Sequence, residues 1–420
     1  MSAPDQGTTY FRKGFGLRGE VQASLASDYT DRLVDRLRAG DFALTADDVT
    51  VRLARQFGFC YGVERAVEYA YQARRKFADR RICLVGEIIH NPHVNEKLRQ
   101  MGIETIHPSE DASGDARFDY STIRPEDVVI LPAFGVTVRD FEALRALGCV
   151  VVDTTCGSVL NVWKRVDGYA RDGYTALIHG KYYHEETRAT ASQVSIYPGG
   201  HHLVVRDLRE AQLVCDYIAM MGDATVDDAT HAAARESFMA RFARAVSPEF
   251  DPDVHLRRIG VANQTTMLAR ESLAIGELVG ATMARVFGDA YRAAHFRTFD
   301  TICSATQDRQ DAVEELLRER LDAMIVIGGF NSSNTISLAA ICADRVRTYH
   351  VGDAESIDPE ARTVHYRPAG VEHSEAIAHD WMPASGPVVV GITAGASTPN
   401  NKIGEAVARI FATRGIVVEA

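Results

Sequence analysis

Three of the seven cysteines share one local sequence setting, and their type and position suit metal chemistry. Cys60, Cys156 and Cys303 each follow a short run of apolar and β-branched residues, and each precedes a helical pattern. They lie too far apart for a zinc finger or a CxxC redox pair. A helix N-terminus favours the thiolate, and three thiolates aimed at a common centre can hold an iron–sulfur cluster with one iron open to substrate. The alternative is three small core residues, against which the matching flanks DTTC and DTIC argue.

The composition is that of a large globular enzyme without signs of membrane insertion or secretion. Its 420 residues are 46% hydrophobic and 25% charged, enough to bury a core in two or three domains. No apolar run reaches the roughly 20 residues that span a bilayer, and the N-terminal segment lacks the apolar stretch of a secretion signal. The odd number of scattered cysteines argues against disulfides and predicts a reducing, cytoplasmic location. The net charge of −11 argues against a nucleic-acid partner.

The sequence around each cysteine belongs to a longer repeat of strands and helices. After the helix that follows each cysteine comes an apolar strand that ends in polar residues, in RICLVGEIIHN, YTALIHGKYYHEET and LDAMIVIGGFNSSNT. A second such strand follows, in VVILPAFGVT, RRIGVANQTT and PVVVGITAGAST. This alternation predicts an α/β fold with parallel-type sheets, in which ligands bind where strands end and helices begin. The repeat predicts three α/β units, residues 61–156, 157–303 and 304–420 with 51–60, after an N-terminal extension of residues 1–50.

The polar strand ends suit a ligand that carries phosphate. NSSNT and GASTP supply hydroxyls, an amide and backbone N–H groups at helix N-termini, which is the usual basis of an anion site. For either segment alone, simple N-capping is the better explanation. Their pairing with His90 and His184 favours phosphate binding, because an imidazolium also holds phosphate. Beside His184, Glu185 or Glu186 becomes a candidate proton donor rather than part of a solvated helix start.

Taken together, these motifs resemble those of the 4-hydroxy-3-methylbut-2-enyl diphosphate reductase family, also called IspH or LytB. The matching motifs are GFCYGVERAV, EIIHNPHVNEKL, LPAFGV, VDTTC, HGKYYHEET, ANQTTM, FDTICSATQDRQDA, GGFNSSNT and GITAGASTP. They occur in the family's order and cover residues 50–405, so no single motif carries the resemblance. LPAFG, HEET and the N-terminal YFRKGFG are similar to the longer, photosynthetic-type branch, in which the N-terminal residues form an extra element.

The resemblance implies a pseudo-threefold trefoil of three α/β units around a central 4Fe-4S cluster. The three repeated cysteines match the family's cluster ligands, and the fourth iron, which lacks a protein ligand, binds the substrate's hydroxyl. Glu186 matches the family's acid, with Glu185 as the nearest alternative. Thr265 matches a hydroxyl relay beside the leaving group, although the residues alone would make it a helix cap. The positions that match residues holding or orienting the substrate are His90, His184, Ser332, Ser333, Asn334 and Ser397.

The activity that the resemblance implies is reductive dehydroxylation to isopentenyl and dimethylallyl diphosphate, the last step of the methylerythritol phosphate route to isoprenoids. It also implies a single-electron donor such as ferredoxin or flavodoxin, and no GxGxxG nicotinamide fingerprint follows a strand here. Three alternatives stay open: a hydro-lyase that uses an open iron, a cluster-bearing sensor without catalysis, and a zinc enzyme. Dependence on an electron donor separates a reductase from a hydro-lyase, and metal and sulfide analysis identifies a zinc enzyme.

Two positions depart from the family pattern, and one segment lies outside its motifs. Phe134 in PAFGV stands where short bacterial members carry a histidine, so it is not counted among the phosphate ligands, and the longer branch shares it. Gly157 and Ser158 follow Cys156 where the family usually has proline and another residue. Glycine adds backbone freedom there, which is expected to affect rate or partner more than the reaction type. Residues 216–250 are expected to form a surface-exposed insertion without chemistry.

Overall fold

The computed structural model of this chain describes residues 9–110, 116–299, 301–371 and 373–419. The chain divides into two compact parts. The terminal part comprises Met1–Ala133, Cys149–Thr154 and Ser304–Ala420. The central part comprises Phe134–Gly148 and Thr155–Cys303.

Both helices and strands occur among the described residues up to residue 153. The elements nearest the N-terminus are β1 (Tyr10–Phe11), α1 (Arg18–Tyr29), α2 (Arg32–Ala39), β2 (Ala43–Ala46) and β3 (Val49–Leu53). They are followed by α3 (Tyr61–Lys76), β4 (Ile82–Val85), α4 (Pro92–Gln100), β5 (Ile103–Ile106), β6 (Pro108–Glu110), β7 (Ala116–Phe118), β8 (Val128–Leu131), α5 (Val138–Leu147) and β9 (Val150–Asp153).

The remaining elements lie between residues 157 and 412. The next elements are α6 (Gly157–Arg171), β10 (Thr175–His179), α7 (Glu185–Ala191), β11 (His202–Val205), α8 (Leu208–Met221), α9 (Asp228–Phe242), α10 (Pro252–His255), β12 (Ile259–Asn263), α11 (Ala269–Phe287), α12 (Asp289–His295) and β13 (Phe296–Thr298). The last are α13 (Ser304–Leu316), β14 (Ala323–Ile327), α14 (Ser333–Ala343), β15 (Thr348–Val351), β16 (Ile357–Asp358), β17 (Thr363–Tyr366), β18 (Ala376–His379), β19 (Val388–Ala394) and α15 (Asn400–Ala412).

The terminal part contains two five-stranded sheets. The first has the strand order β1-β9-β8-β4-β5 and is parallel throughout. Its strands β4, β8 and β9 read ICLV, VVIL and VVVD and are buried at every residue, as expected of parallel strands covered on both faces. The second has the order β15-β14-β19-β3-β2 and is parallel except for β2, which pairs antiparallel with β3. A small antiparallel sheet, β16-β17-β18, also belongs to this part.

The central part is built on one four-stranded parallel sheet with the order β11-β10-β12-β13. Strands β10 and β12 are buried at all five residues. Gly260 in β12 admits the ring of Tyr169 from α6, since a Cβ there would lie 2.5 Å from that ring. Phe238 and Phe242 of α9 are buried in the same core. The expectation that residues 216–250 form a surface insertion is therefore wrong for this helix, whose two phenylalanines complete the core.

Residues 9–50 pack onto the terminal part rather than extending from it. Strand β1 adds to the first sheet, with Tyr10 opposite Val151 of β9. Val21 of α1 lies in the core that surrounds β4 and α3, and Leu37 of α2 lies in the core of the second sheet. The N-terminal extension thus contributes to both cores of the terminal part.

The predicted α/β class with parallel-type sheets is confirmed. In each sheet, the two strands predicted to end in polar residues are neighbours and run parallel: β4 with β8, β10 with β12 and β14 with β19. Their carboxyl ends therefore lie at the same edge of each sheet. The boundaries of the three units predicted from the repeat stay a prediction. Among the described residues, no helix is both long and apolar enough to cross a membrane.

Candidate functional site

All three repeated cysteines stand at the start of a helix, as predicted. Cys60 is the N-cap of α3, where its Sγ accepts a backbone N–H of the first turn at 3.5 Å and its own N–H donates to the carbonyl of Ala396 at 3.2 Å. Cys156 is the N-cap of α6. Cys303 directly precedes α13, and its N–H donates to the carbonyl of Thr265 at 3.3 Å. Each of these thiols therefore lies where a helix presents the partial positive charge of its N-terminus.

The other four cysteines are buried, and burial changes the pKa of their thiols. Cys83, Cys149, Cys215 and Cys342 are buried, whereas the three at helix starts are partly exposed. Burial raises the pKa of the Cys83 thiol to about 11 and that of Cys342 to about 12, and it also raises the pKa of Cys149 and Cys215. Because the thiolate is the form that binds metal, the chemistry of these four thiols does not suit a metal site.

In the terminal part, His90 follows β4 in a loop held by polar neighbours. The imidazole is buried, and its Nδ1 lies 2.9 Å from Oε2 of Glu87. Asn331 extends this cluster, since its Nδ2 lies 3.3 Å from Oε2 of Glu87 and 3.3 Å from Nδ1 of His90. A carboxylate that accepts a hydrogen bond from Nδ1–H fixes the orientation of the ring and directs Nε2 to the opposite side.

The serines predicted to bind phosphate lie at the starts of α14 and α15. Ser332 is the N-cap of α14, where its Oγ accepts the N–H of Thr335 at 3.4 Å, so the capping alternative is confirmed for this residue. Ser397 does not cap a helix with its hydroxyl. Its Oγ donates to the carbonyl of His90 at 3.1 Å, and the N-cap of α15 is Pro399. A hydrogen bond therefore joins two of the predicted ligand residues.

Asn334 links the start of α14 to the GASTP loop. Its Oδ1 accepts the N–H of Ala396 at 2.9 Å. Its Nδ2 is buried and has no hydrogen-bond partner among the described residues. Ser333 beside it is also buried. A buried amide group without a hydrogen-bond partner destabilises the fold by about 1–3 kcal/mol. A ligand with an acceptor, such as a phosphate oxygen, would supply the missing partner.

In the central part, hydrogen bonds connect Glu186, Thr265 and Cys303. Glu186 is 3% exposed, and its Oε1 accepts the N–H of Thr265 at 2.6 Å. The carbonyl of Thr265 in turn accepts the N–H of Cys303. Glu185 is exposed, so the structure buries only the second glutamate of HEET. Thr265 lies in a turn before α11, whose N-cap is Leu268, so the interpretation of this threonine as a helix cap is wrong.

His184 is the N-cap of α7 and is held by its own helix. Its Nδ1 accepts the N–H of Glu186 at 3.1 Å, so the neutral ring carries its proton on Nε2. The ring of Phe134 lies edge-on to this imidazole, with centroids 6.1 Å apart and an interplanar angle of 82°. Gly135 has φ +75°, and a Cβ there would lie 2.4 Å from the ring of Trp163. Phe134 therefore forms an apolar wall beside the histidine instead of offering a ligand.

Two side chains that hold the site were missed by the sequence reasoning. Gln264 is fully buried, and its Oε1 accepts the hydroxyl of Thr187 at 3.0 Å and the N–H of Lys181 at 3.2 Å. It thereby ties the HGKYYHEET segment to the ANQTT turn. Glu87 orients His90 in the same supporting way. Both lie within motifs that were noted in the sequence, yet only contacts across space reveal what they do.

Comparison with known proteins places the chain among named relatives. The model of a family described as LytB protein matches residues 51–411. The 4-hydroxy-3-methylbut-2-enyl diphosphate reductase of Gloeobacter violaceus is 46% identical over 415 residues, which are 98% of this chain and 94% of that protein. The protein of the same name from Thermosynechococcus vestitus is 46% identical over 408 residues, 97% of this chain and 95% of that protein.

Two solved structures are similar to this one. The first is that of (E)-4-hydroxy-3-methyl-but-2-enyl diphosphate reductase, the terminal enzyme of the non-mevalonate pathway. It is 28% identical, covers 86% of this chain and 98% of its own, and has a TM-score of 0.50. The second is E-1-hydroxy-2-methyl-but-2-enyl-4-diphosphate reductase from Plasmodium falciparum, with a TM-score of 0.60 and coverage of 87% and 89%. At 19% identity, the second shows a shared fold alone.

Proposed function

Because the chain belongs to the LytB protein family, we propose that it reduces 4-hydroxy-3-methylbut-2-enyl diphosphate to isopentenyl diphosphate and dimethylallyl diphosphate. The family predicted from the motifs is confirmed, and the relatives carry the name of this reductase. Their cyanobacterial sources agree with the longer, photosynthetic-type branch. The reaction would be the last step of the methylerythritol phosphate route.

An iron–sulfur cluster is expected for this family, and three cysteines of this chain fit one. We assign Cys60, Cys156 and Cys303 as ligands of a 4Fe-4S cluster in which one iron lacks a protein ligand. The support for this assignment is their placement, since each lies at the start of a helix, is partly exposed and offers a sulfur ligand. When bound, the cluster supplies a Lewis-acidic iron for the substrate's hydroxyl and a path for single electrons.

The terminal part supplies the groups that would hold the diphosphate. His90, Ser332, Ser333, Asn334 and Ser397 together offer imidazole, hydroxyl and amide donors at strand ends and helix starts. The unpartnered Nδ2 of Asn334 is the observation that most favours an anion here. The N-terminus of α14 adds backbone N–H groups and a partial positive charge.

The central part supplies the proton. Oε1 of Glu186 accepts the N–H of Thr265, and in this proposal Oε2 would carry the proton. Transfer through the hydroxyl of Thr265 lets the substrate's oxygen leave as water rather than hydroxide. His184, with its proton on Nε2, is positioned by α7 to donate to the alcohol. Two electrons and a second proton then complete the product, and protonation at either end of the allyl group gives one or the other isomer.

The main support for this proposal is that the buried Glu186 accepts the N–H of Thr265, while the carbonyl of Thr265 accepts the N–H of Cys303. It joins a proton donor to the segment that bears a cluster ligand. The electrons are proposed to come from ferredoxin or flavodoxin, in the cytoplasm.

The proposal is tested by turnover of 4-hydroxy-3-methylbut-2-enyl diphosphate with anaerobically reconstituted protein and a reduced viologen dye. We expect dye oxidation that requires the substrate, with both isomeric diphosphates among the products. Iron and sulfide analysis is the companion measurement, and zinc without sulfide would identify a zinc enzyme instead. Loss of substrate without dye oxidation would indicate a hydro-lyase, and an intact cluster without any turnover would indicate a sensor.

A further inference from the structure

The loop from Gly328 to Ser332, which leads into α14, is held from behind by two side chains. His350 of β15 donates from Nε2 to the carbonyl of Gly328 at 3.0 Å. Arg367, which directly follows β17, donates from Nη1 to the carbonyl of Phe330 at 3.1 Å. The two donors are themselves joined, because the N–H of Arg367 donates to the carbonyl of His350 at 2.9 Å. All of these contacts lie within the terminal part.

The side chain of Phe330 is fixed by the same two residues. The guanidinium of Arg367 lies over the ring, 4.2 Å from its centroid. His350 meets the ring at 5.0 Å between centroids with an interplanar angle of 75°. Gly352 closes the pocket, since a Cβ there would lie 3.3 Å from the ring. Glu375 in turn holds Arg367 through Nη2 at 3.4 Å. Phe330 is thus anchored on the side of β15 and β17.

Anchoring these two carbonyls determines where the neighbouring N–H groups point. In a trans peptide, the carbonyl of one residue and the N–H of the next point in opposite directions. With the carbonyls of Gly328 and Phe330 directed at His350 and Arg367, the N–H groups of Gly329 and Asn331 point away from that side. Gly329 lies against the His90 segment, where a Cβ would be 2.8 Å from the carbonyl of His90. Two peptide groups of the loop therefore turn their carbonyls towards His350 and Arg367 and their N–H groups to the opposite side, whereas the N–H of Gly328 donates to Val351 of β15.

We infer that His350 and Arg367 are positioning residues for the diphosphate. By binding the carbonyls of Gly328 and Phe330, they keep these two oxygens away from the anion and preorganise the N–H groups that follow them before the substrate arrives. The small antiparallel sheet β16-β17-β18 contributes to this arrangement, because Arg367 directly follows β17 and forms an antiparallel bridge with His350. The inference rests on the proposed function, because it concerns the ligand assigned to this loop.

The chemistry of His350 agrees with this role. Burial lowers its pKa to about 4, so at neutral pH the ring is uncharged. An uncharged imidazole that donates from Nε2 is a plain hydrogen-bond donor, and it would act on the loop without contacting the substrate.

The test compares His350→Phe, which keeps the ring shape and removes the donor, with His350→Gln, whose amide can donate from a similar position. Anaerobic calorimetry on the cluster-loaded protein measures the Kd of isopentenyl diphosphate and of inorganic diphosphate. We expect His350→Phe to weaken both by about tenfold, in line with the loss of one preorganised hydrogen bond, and His350→Gln to restore most of the affinity. His379→Phe is the matched control, because it changes an exposed histidine of β18 in the same antiparallel sheet that has no hydrogen bond or ion pair to the loop among the described residues.

A second pair guards against misfolding of the histidine variants. Arg367→Met removes the donor to Phe330, and Arg367→Lys retains a cation, so the pair should show the same loss and partial rescue. Saturated turnover should change little, because the proton donor lies elsewhere. Native affinity in folded His350→Phe and Arg367→Met would overturn this inference and leave the proposed function standing. Wild-type protein that binds neither probe and turns over no substrate would overturn the proposed function itself.

Discussion

Replacing Glu186 with glutamine separates its chemical role from its structural one. The amide has the shape of the carboxyl, and its oxygen can still accept the N–H of Thr265, which lies 2.6 Å from Oε1. It cannot carry a transferable proton on the second atom. We therefore expect the cluster content to stay near that of the wild type, while kcat falls by about 100-fold or more, the usual contribution of a general acid.

The magnitude of the structural effect can be worked from the same hydrogen bond. Exchange of a carboxyl oxygen for an amide oxygen weakens one buried contact, which should cost about 1 kcal/mol of the free energy of unfolding. Glu186→Ala removes the acceptor entirely and leaves the buried N–H of Thr265 unsatisfied, at a cost of about 1–3 kcal/mol before any cavity cost. Because Thr265 also accepts the N–H of Cys303, the alanine variant should bind the cluster less firmly as well.

The assay is viologen-coupled turnover alongside iron content and thermal unfolding for the three proteins. Glu185→Gln is the matched control, because that glutamate is the exposed neighbour and should retain activity. A fully active Glu186→Gln protein would refute the acid role and transfer it to Glu185. An inactive Glu186→Gln protein that has also lost its iron would show that the residue acts on the cluster segment rather than on the proton.

Three further predictions follow from the cysteines, the start of α6 and a buried histidine. Cys303→Ser should abolish binding of iron and sulfide, whereas Cys215→Ala, a change at a buried thiol of α8, should retain both. Gly157→Pro should raise the thermal midpoint, because proline restricts the unfolded chain and thereby adds about 0.4–1 kcal/mol to the free energy of unfolding. The site can accept proline, since a Cβ at Gly157 meets no atom within 4 Å and Cys156 has the extended backbone (φ −63°, ψ 143°) that a residue before proline requires. A lower thermal midpoint would contradict this prediction. Burial lowers the pKa of His179 to about 4 from 6.5, so the unfolded chain binds the proton more tightly. The free energy of unfolding should therefore fall as the pH drops below 6.5 towards 4, and denaturant titrations should show a flatter dependence in His179→Gln.

The sequence predicted much of the architecture because local periodicity and strand-end chemistry dictate it. Runs such as VVIL and VVVD are buried on both faces of a parallel sheet, and each repeated cysteine was expected where a strand gives way to a helix. Less predictable were pairings between distant segments. Nothing local indicates that Tyr10 pairs with β9, or that Phe238 and Phe242 fill the central core. These depend on which surfaces the rest of the chain leaves uncovered.

The candidate site was predicted unevenly for the same reason. Residue type and order pointed to Glu186 and His184, but the spacing alone could not choose between the two glutamates of HEET. The structure buries Glu186 and exposes Glu185, which supports the proposal of Glu186 as the acid, and the choice itself stays a prediction. Gln264 and Glu87 act by holding other side chains, so their roles depend on distances that a sequence pattern does not carry.

The two cysteines with the most defined surroundings share a further feature that bears on how the site works. The N–H of Cys60 donates to Ala396, whose own N–H is bound by Asn334 and whose neighbour is Ser397. The N–H of Cys303 donates to Thr265 in the same way. Each cysteine is thus tied by its backbone to a loop that carries a proposed substrate residue. A metal that ordered the cysteine would also order that loop, so we expect loading of the proposed cluster and ordering of the proposed substrate residues to be energetically linked within each part of the chain.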